Sequence, residues 1–206
     1  MKQVIVIPAR MSGTRLPGKP LILIKGMPMI WHVWSKCKEI HDPSLIYVAT
    51  EDTEIEEYCA EMHINCINTG PANTAIDRIK LFSDLVSADA YINIQGDEPI
   101  VNPEDIKTIL DYNKNHPDRV VFGKTSCNES EFNDYSKAKV VCSISGRLMY
   151  SSRAGIPITN KGNFYKAERA IWIYAFNKIS LDSYFKHDDA KIEKIEDNEI
   201  IRFLEL

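Results

Sequence analysis

Residues 4–21, VIVIPARMSGTRLPGKPL, join an apolar run to a loop that is rich in positive charge. The run Val4–Ile7 predicts a first strand, because β-branched residues favour an extended backbone. The loop that follows carries three cations, Arg10, Arg15 and Lys19. In an open α/β sheet, the loop after the first strand is the usual place for phosphate recognition. The stretch therefore indicates an α/β fold with an anion-binding site near its beginning.

The first half of the chain alternates short β-branched runs with helical patterns, which is typical of a layered α/β sheet. Further strands are predicted at 45–49, 65–67 and 90–94, and helices at 29–40, 53–62, 76–86 and 103–114. Thr53 and Glu56 have the spacing of a capping box, which would begin the second of these helices. Asn102 followed by Pro103 predicts a capped start for the last one.

Strand patterns predominate beyond Val120. They lie at 120–124, 138–143, 147–151 and 171–176, and helical patterns at 181–185 and 191–206 close the chain. The pair Ser145-Gly146 predicts a hairpin turn between two of these strands. Because neither a repeat nor a linker interrupts the chain, we expect one domain over 1–206. Its predicted fold is a doubly wound, mostly parallel α/β sheet with a β-rich elaboration at 118–178.

The net charge of −4 argues against nucleic-acid and membrane partners, since these need a broad basic surface. No apolar run approaches the ~18 residues of a membrane span, and no signal-peptide pattern begins the chain, so we expect a cytoplasmic protein. The five cysteines are scattered and lack Cys-x-x-Cys spacing. Reduced thiols are therefore expected rather than a zinc site or a disulfide framework.

The cationic loop, residues 8–21, has features that hold its charges in place. Gly13 and Gly18 allow backbone to approach a ligand closely, and Pro17 stiffens the chain. Guanidinium groups add bidentate binding of phosphate oxygens to the point charge of a lysine. The spacing matches neither the Walker pattern nor the dinucleotide-binding pattern. A polyphosphate is thus the favoured ligand, and a solvated, charged turn is the alternative.

The predicted strand at 90–94 ends in a second polar turn, Gln95-Gly96-Asp97-Glu98-Pro99. Its carboxylates are expected at the carboxyl end of the strand, opposite the cationic loop. Because Mg²⁺ is typically held by one or two carboxylates together with substrate phosphates, Asp97 is the candidate metal ligand. Glu98 is expected to turn toward the scaffold. A simple tight turn is the alternative for this segment.

Two segments, Pro8–Leu21 and Asn93–Pro99, resemble motifs of the 3-deoxy-manno-octulosonate (KDO) cytidylyltransferases. Further matches along the chain are Asp77-Arg78, Lys139–Val141, Tyr150–Pro157 and Ile173–Ala175. The resemblance covers nearly the whole chain and implies a fold of the nucleotide-diphospho-sugar transferase type. It also implies transfer of CMP from CTP to the anomeric hydroxyl of KDO or a KDO-like ulosonic acid, with release of pyrophosphate.

The same resemblance implies roles for individual residues. Catalysis would depend on Arg10, Lys19 and Asp97, and Asp97 would bind Mg²⁺. The nucleotide would contact Pro8, Ala9, Arg10, Ser12, Gly13, Arg15, Lys19, Arg78 and Gln95. The sugar acid would contact Gln95, Glu98, Lys139, Arg153 and Tyr174. The expected partners are CTP and a keto-deoxy sugar acid, and the protein is expected to be a homodimer that serves bacterial lipopolysaccharide or capsule synthesis.

The chain departs from the family pattern at four places, one of which is Glu199-Ile200 in place of glutamate-glutamine. Thr74-Ala75-Ile76 stands where serine-glycine-threonine is usual, and Ala170-Ile171-Trp172 stands where histidine-x-glycine is common. Family members continue past the position of Leu206 into a segment with a second aspartate ligand. Three alternatives follow: the sequence is truncated, Asp97 alone holds the metal with substrate oxygens, or activity is lost. The alternatives are an amino-substituted octulosonate or a different sugar as acceptor, and a relative that binds CTP without turning it over.

Overall fold

A computed structural model describes residues 1–13, 16–187 and 190–206. The chain divides into two compact units. The first unit is Met1–Val121 with Trp172–Asp182, and the second is Phe122–Ile171 with Ser183–Leu206. Across these described residues, no helix combines the length and the apolar character that crossing a membrane requires.

Strands and helices alternate through the first half of the chain, as the sequence predicts. The strands are β1 (Gln3–Pro8), β2 (Leu23–Ile24), β3 (Met27–Pro28), β4 (Ile46–Thr50), β5 (Asn65–Asn68), β6 (Ala90–Ile94), β7 (Val121–Cys127), β8 (Lys139–Cys142), β9 (Leu148–Ser152) and β10 (Ala167–Phe176). The helices are α1 (Met29–Lys38), α2 (Thr53–Glu61), α3 (Ala75–Leu85), α4 (Pro103–Asn115), α5 (Glu129–Phe132), α6 (Lys178–Lys186), α7 (Lys191–Glu196) and α8 (Arg202–Glu205). Short 3₁₀ helices span Lys19–Leu21, Pro43–Leu45 and Glu199–Ile201.

The first unit contains a mostly parallel sheet in the strand order β5-β4-β1-β6-β10. β1 pairs in parallel with both β4 and β6, and β4 pairs in parallel with β5. β10 joins the free side of β6 in the antiparallel direction, with Tyr174 opposite Asn93. The predicted α/β class with a mostly parallel sheet is therefore confirmed.

Helices pack on both faces of this sheet because its central strands are apolar on both faces. Every residue of β1 and of β6 is buried. On one face, the Phe82 ring of α3 contacts the rings of Tyr47 and Tyr91. On the other, Ile30 of α1 and Ile7 of β1 both lie beside the turn that follows β6. Near-continuous apolar strands are expected for a parallel sheet that is covered on both sides.

Two helix starts follow from local side-chain chemistry. Asn102 caps α4, as predicted, by accepting a hydrogen bond from the backbone N–H of Glu104 at 3.1 Å. Thr74 and Asp77 form a capping box at the start of α3, where Thr74 Oγ1 accepts from Asp77 N at 3.1 Å. Such caps satisfy backbone N–H groups that have no partner within the helix.

The predicted capping box of Thr53 and Glu56 is wrong. Asp52 is the N-cap residue of α2, and Thr53 already lies inside the helix. The Asp52 carboxylate makes no capping hydrogen bond, and its Oδ2 accepts a hydrogen bond from the backbone N–H of Met11 at 2.8 Å instead. A contact with the cationic loop therefore prevails over the local capping pattern.

The second unit contains antiparallel strands in the order β10-β8-β9, and β7 also pairs with β10. β10 begins earlier than predicted, at Ala167, because Glu168 and Arg169 pair with Val140 and Lys139 of β8. The predicted hairpin turn at 145–146 is present between β8 and β9. Its glycine has a φ of 84°, a conformation that side chains other than glycine rarely adopt.

The prediction of one helix at 191–206 is wrong. α7 ends at Glu196, and Asp197 adopts a left-handed conformation with a φ of 47°. The chain then folds back, so that Arg202 Nη2 donates a hydrogen bond to Glu193 Oε1 at 2.9 Å, with both side chains buried. The periodic pattern is consequently divided among short helices.

Candidate functional site

Lys19 and Asp97 are in contact at the carboxyl ends of β1 and β6. Lys19 lies at the start of a 3₁₀ helix in the cationic loop, and Asp97 lies in the turn that follows β6. The Lys19 Nζ is 2.7 Å from Asp97 Oδ2, and the two side chains are 36% and 52% exposed. Because β1 and β6 are parallel neighbours, both segments leave the sheet at the same edge. An accessible cation and an accessible carboxylate thus meet where such sheets bind ligands.

The cationic loop is closed on itself by the backbone of Met11. The Met11 carbonyl accepts hydrogen bonds from Gly13 N and Gly18 N, both at 2.9 Å. Gly18 has a φ of 70°, which explains why glycine suits this position. The Met11 N–H donates to Asp52, so the loop is also fixed to the residue that precedes α2. These bonds determine where Lys19 emerges from the loop.

Gly96 allows the turn after β6 to approach the end of β1. A Cβ atom built on Gly96 would lie 2.6 Å from the Pro8 carbonyl oxygen, which is closer than real Cβ contacts. It would also meet the Ile30 side chain at 3.3 Å. The missing side chain therefore brings Asp97, the next residue, close to the cationic loop.

Arg78 is a buried cation that joins the ends of β4 and β5. Its Nη1 donates to Thr69 Oγ1 at 2.9 Å and to the Gly70 carbonyl at 3.1 Å. Its Nη2 forms an ion pair with Glu51 Oε1 at 3.3 Å, but this nitrogen makes no hydrogen bond of good geometry with any described residue. Burial lowers the pKa of Arg78, while the charges of Glu51 and Asp52 oppose this shift. The guanidinium is therefore held in the scaffold beneath the site.

The remaining residues predicted to contact the nucleotide lie on or beside the same edge. Pro8 and Ala9 are buried at the end of β1, and Arg10 and Ser12 are exposed in the loop. Arg10 is close enough to Arg78 for its charge to lower the pKa of that residue further. Other predicted contacts are Gly13 and Gln95, which are half-buried, and Arg15, which lies with Thr14 outside the described residues.

Among the residues predicted to contact the sugar, Gln95, Glu98 and Tyr174 belong to the first unit. Glu98 is half-buried and donates its backbone N–H to the Gln95 carbonyl at 3.2 Å. Tyr174 is 2% exposed and lies in β10, where its ring contacts Trp172 and Phe176. Its buried ring is thus part of the core of this unit.

Lys139 and Arg153 belong to the second unit, and both bind backbone carbonyls. Lys139 is buried, and its Nζ donates to the carbonyls of Asp134 at 2.9 Å and Lys137 at 2.7 Å. Burial lowers the pKa of Lys139. Arg153 Nη1 donates to the Tyr135 carbonyl at 3.2 Å and, more weakly, to that of Ser136 at 3.5 Å. The two cations together hold four successive carbonyls, those of residues 134–137.

Arg153 also reaches the end of α7. Its Nε donates to the Glu196 carbonyl at 3.0 Å, and its Nη2 donates to the Asp197 carbonyl at 2.7 Å. Carbonyls at a helix C-terminus carry partial negative charge, which favours a guanidinium there. All three guanidinium nitrogens of Arg153 are therefore engaged by backbone.

Asp97, the residue predicted to bind a metal, is an accessible carboxylate beside the cationic loop. No group of three or more histidine, cysteine, aspartate or glutamate side chains in residues 1–13, 16–187 and 190–206 could hold a metal ion. An accessible carboxylate next to a cationic loop fits Mg²⁺, which commonly takes one or two carboxylates together with substrate phosphates and water. The phosphate oxygens of a bound nucleotide would add to this donor set and complete the coordination of Mg²⁺.

Asp52 and Glu51 lie at this edge of the sheet and were not predicted from the sequence. Both directly follow β4, the strand that pairs with β1. Asp52 holds the cationic loop, and Glu51 pairs with Arg78. The available signal was their position at the carboxyl end of a predicted strand, since ligands of open α/β sheets bind at that edge.

A doubly wound sheet with a cationic loop and an accessible aspartate at one edge defines a nucleotide-binding α/β protein. The chain belongs to the cytidylyltransferase family, whose model matches residues 4–205. It is 33% identical to the 3-deoxy-manno-octulosonate cytidylyltransferase of Escherichia coli, over 98% of this chain and 83% of that protein. It is 32% identical to the 8-amino-3,8-dideoxy-manno-octulosonate cytidylyltransferase of Shewanella frigidimarina, over 100% of this chain and 86% of the relative.

A solved structure of CMP:2-keto-3-deoxy-manno-octonic acid synthetase complexed with CTP resembles the whole chain. The TM-score is 0.93 at 32% sequence identity, and the match covers 100% of this chain and 86% of the other. The fold expected from the sequence resemblance is thus the fold observed.

Proposed function

We propose that this protein transfers CMP from CTP to the anomeric hydroxyl of KDO or a closely related ulosonic acid and releases pyrophosphate. The observation that carries the proposal is the contact of Lys19 with Asp97 at the ligand-binding edge of the sheet. It occurs in a chain whose full length is similar to a synthetase complexed with CTP. The product would serve bacterial lipopolysaccharide or capsule synthesis in the cytoplasm.

The reaction exchanges one bond at phosphorus for another. The anomeric oxygen bonds to the α-phosphorus of CTP, the bond from that phosphorus to the bridging oxygen breaks, pyrophosphate leaves, and the hydroxyl proton passes to solvent. Arg10, Arg15 and Lys19 would bind phosphate oxygens and offset the charge that develops on them. Mg²⁺, held by Asp97 and phosphate oxygens, would supply further charge neutralisation.

The remaining nucleotide contacts are proposed along the same edge of the first unit. Pro8, Ala9, Ser12 and Gly13 would line the nucleotide with backbone and small side chains. Gln95 would bind nucleotide or sugar, because its side chain begins the turn that carries Asp97.

In the first unit, Gln95 and Glu98 are proposed to contact the acceptor, with the buried Tyr174 supporting them from the core. In the second unit, Lys139 and Arg153 are the residues proposed to act on the acceptor. Because the latter two bind backbone carbonyls, their support for a sugar site is indirect, through the segment 134–137. An amino-substituted octulosonate is a second candidate acceptor. Trp172 stands where the family commonly has glycine, and the chain is about as similar to the Shewanella relative named for that sugar as to the KDO relative.

A homodimer is proposed for the same protein. β9 is the last strand in the order β10-β8-β9, and Ile144 and Met149 beside its hairpin are exposed. An open strand edge with exposed apolar side chains favours pairing with a second chain. Analytical ultracentrifugation should give a mass twice that of one chain, whereas a single-chain mass at micromolar concentration would contradict the dimer.

The function is tested by pyrophosphate release from CTP with Mg²⁺ and either KDO or 8-amino-3,8-dideoxy-manno-octulosonate. We expect release that depends on the acceptor, and the preferred acceptor identifies the sugar. CTP binding without product from either acid would instead support the non-catalytic alternative. Release with a sugar 1-phosphate alone would identify a nucleotidyltransferase for a different sugar.

A further inference from the structure

Glu51 is an accessible carboxylate held in place by a buried cation. It follows β4, and its side chain is 25% exposed. Its Oε1 lies 3.3 Å from Nη2 of Arg78, whose side chain is 3% exposed. Arg78 is fixed in turn by Thr69 and Gly70. Among the described residues no hydrogen bond engages Glu51 Oε2, so one oxygen of this carboxylate is paired with Arg78 and the other is accessible to a ligand.

The strand order separates Glu51 from the end of the site where phosphates would bind. Lys19 and Asp97 lie at the ends of β1 and β6, whereas Glu51 follows β4, on the opposite side of β1. Since neighbouring strands are about 4.8 Å apart, the ends of β4 and β6 are separated by roughly 10 Å. This separation is comparable with the reach of a nucleotide from its α-phosphate to its base.

The charge at the end of β4 suits an uncharged, hydrogen-donating group. Arg78, with Arg10 near it, offsets the charges of the adjacent carboxylates Glu51 and Asp52, so this end carries no excess positive charge to attract a phosphate. Asp52 is bound to the cationic loop through the Met11 N–H, whereas Glu51 is bound to the buried Arg78, so Glu51 is the acceptor that we assign to a ligand. Position 4 distinguishes the two pyrimidine bases, because cytosine has an amine that donates there and uracil has a carbonyl that accepts.

We propose that Glu51 selects the base of the nucleotide by accepting a hydrogen bond from the 4-amino group of cytosine. An ionised carboxylate offers only acceptors, so it gains a charge-assisted hydrogen bond with cytosine and opposes the uracil carbonyl. Arg78 is the positioning residue that orients the carboxylate. The inference rests on the proposed function, since it takes CTP as the nucleotide.

The test compares equilibrium binding of CTP and UTP to the wild type, Glu51→Gln and Glu57→Gln by isothermal titration calorimetry. Glutamine keeps the size of Glu51 but can turn an N–H toward the uracil carbonyl. We expect the wild-type preference for CTP over UTP to fall by roughly 10- to 100-fold in Glu51→Gln. Glu57, an exposed residue of α2, is the matched control and should keep the wild-type preference.

The outcomes separate this inference from the function on which it rests. If the wild type binds neither nucleotide, the proposed function fails. If the wild type prefers CTP and Glu51→Gln weakens the binding of CTP and UTP equally, Glu51 has only a structural role and the inference fails alone.

A second measurement needs only the wild-type protein and applies if Glu51→Gln does not fold. The triphosphate of 2-pyrimidinone riboside lacks the 4-amino group, so the wild type should bind it roughly tenfold less tightly than CTP. Equal binding of the two would overturn the proposal.

Discussion

The Nζ of Lys19 lies 2.7 Å from Oδ2 of Asp97, so the ammonium contacts the carboxylate proposed to hold Mg²⁺. Both side chains are well exposed. Exposed ion pairs of this kind contribute only about 0–1 kcal/mol. The contact therefore exchanges easily, and Lys19 is available for phosphate oxygens when a triphosphate enters.

Replacing Lys19 should have opposite effects on metal and nucleotide. Without nucleotide, Lys19→Met should bind Mn²⁺ up to about fivefold more tightly, because the competing ammonium is gone. The same variant should bind CTP roughly tenfold less tightly, because a phosphate contact is lost. Electron paramagnetic resonance of free Mn²⁺ and calorimetry with CTP measure the two affinities. The control is Lys36→Met, which removes the 2.8 Å ion pair between Lys36 of α1 and Glu39 and should change neither affinity. An unaltered Mn²⁺ affinity in Lys19→Met would show that the Lys19–Asp97 ion pair does not compete with metal.

Replacing Asp97 should affect turnover far more than nucleotide binding. Asp97→Asn removes the negative charge of the proposed metal ligand, so pyrophosphate release should fall by roughly 100-fold or more. Binding of CTP in the absence of metal should be retained, because the cationic loop is unchanged. Asp118→Asn, at an exposed turn, is the control and should behave as the wild type. Full activity of Asp97→Asn would remove this residue from the mechanism.

Gly96→Ala should lower both stability and activity. The new Cβ would lie 2.6 Å from the Pro8 carbonyl oxygen, so the ends of β1 and β6 must move apart. Overpacking of this kind costs about 1–3 kcal/mol, which urea unfolding can measure. Gly146→Ala is the informative contrast, because its Cβ meets nothing within 4 Å and its cost of about 1–2 kcal/mol comes from a φ of 84°. If both variants lose stability but keep full activity, the close approach at Gly96 does not position Asp97.

Arg153→Lys should loosen two segments of the second unit. An ammonium cannot span the carbonyls of Tyr135 and Ser136 and those of Glu196 and Asp197, which the guanidinium now joins. Hydrogen exchange measured by mass spectrometry should therefore accelerate in both segments, and KM for the sugar acid should rise more than KM for CTP. Lys124→Met removes a 2.6 Å pair with Glu168 in the same unit and should leave both segments protected. Unchanged exchange in Arg153→Lys would contradict the bridging role.

The sequence predicted the first unit well because its strands are governed by local composition. β6 was predicted at its observed bounds, since a continuous apolar run between polar turns suits only a buried strand. The contact of Lys19 with Asp97 follows from topology, because parallel neighbours place their loops at one edge. β2, β3 and α5 were missed because elements of two to four residues are too short to show a period.

Failures of prediction occurred where a contact between distant residues decided the backbone. Asp52 lies next to a plausible capping box, yet its carboxylate binds Met11, 41 residues away in sequence. The helical pattern at 191–206 is interrupted because Arg202 must reach the buried Glu193. For the same reason the burial of Arg78 was not foreseeable, since it depends on β4 and β5 together.

The Met11 carbonyl accepts hydrogen bonds from both Gly13 and Gly18, so the position of Lys19 does not depend on the number of residues between these glycines. Residues inserted between these two glycines would enlarge the loop while Gly18 stayed bound to Met11 and Lys19 stayed beside Asp97. Changes of length in this part of the loop, which carries Arg15, would therefore alter the reach of that arginine without displacing Lys19 from Asp97.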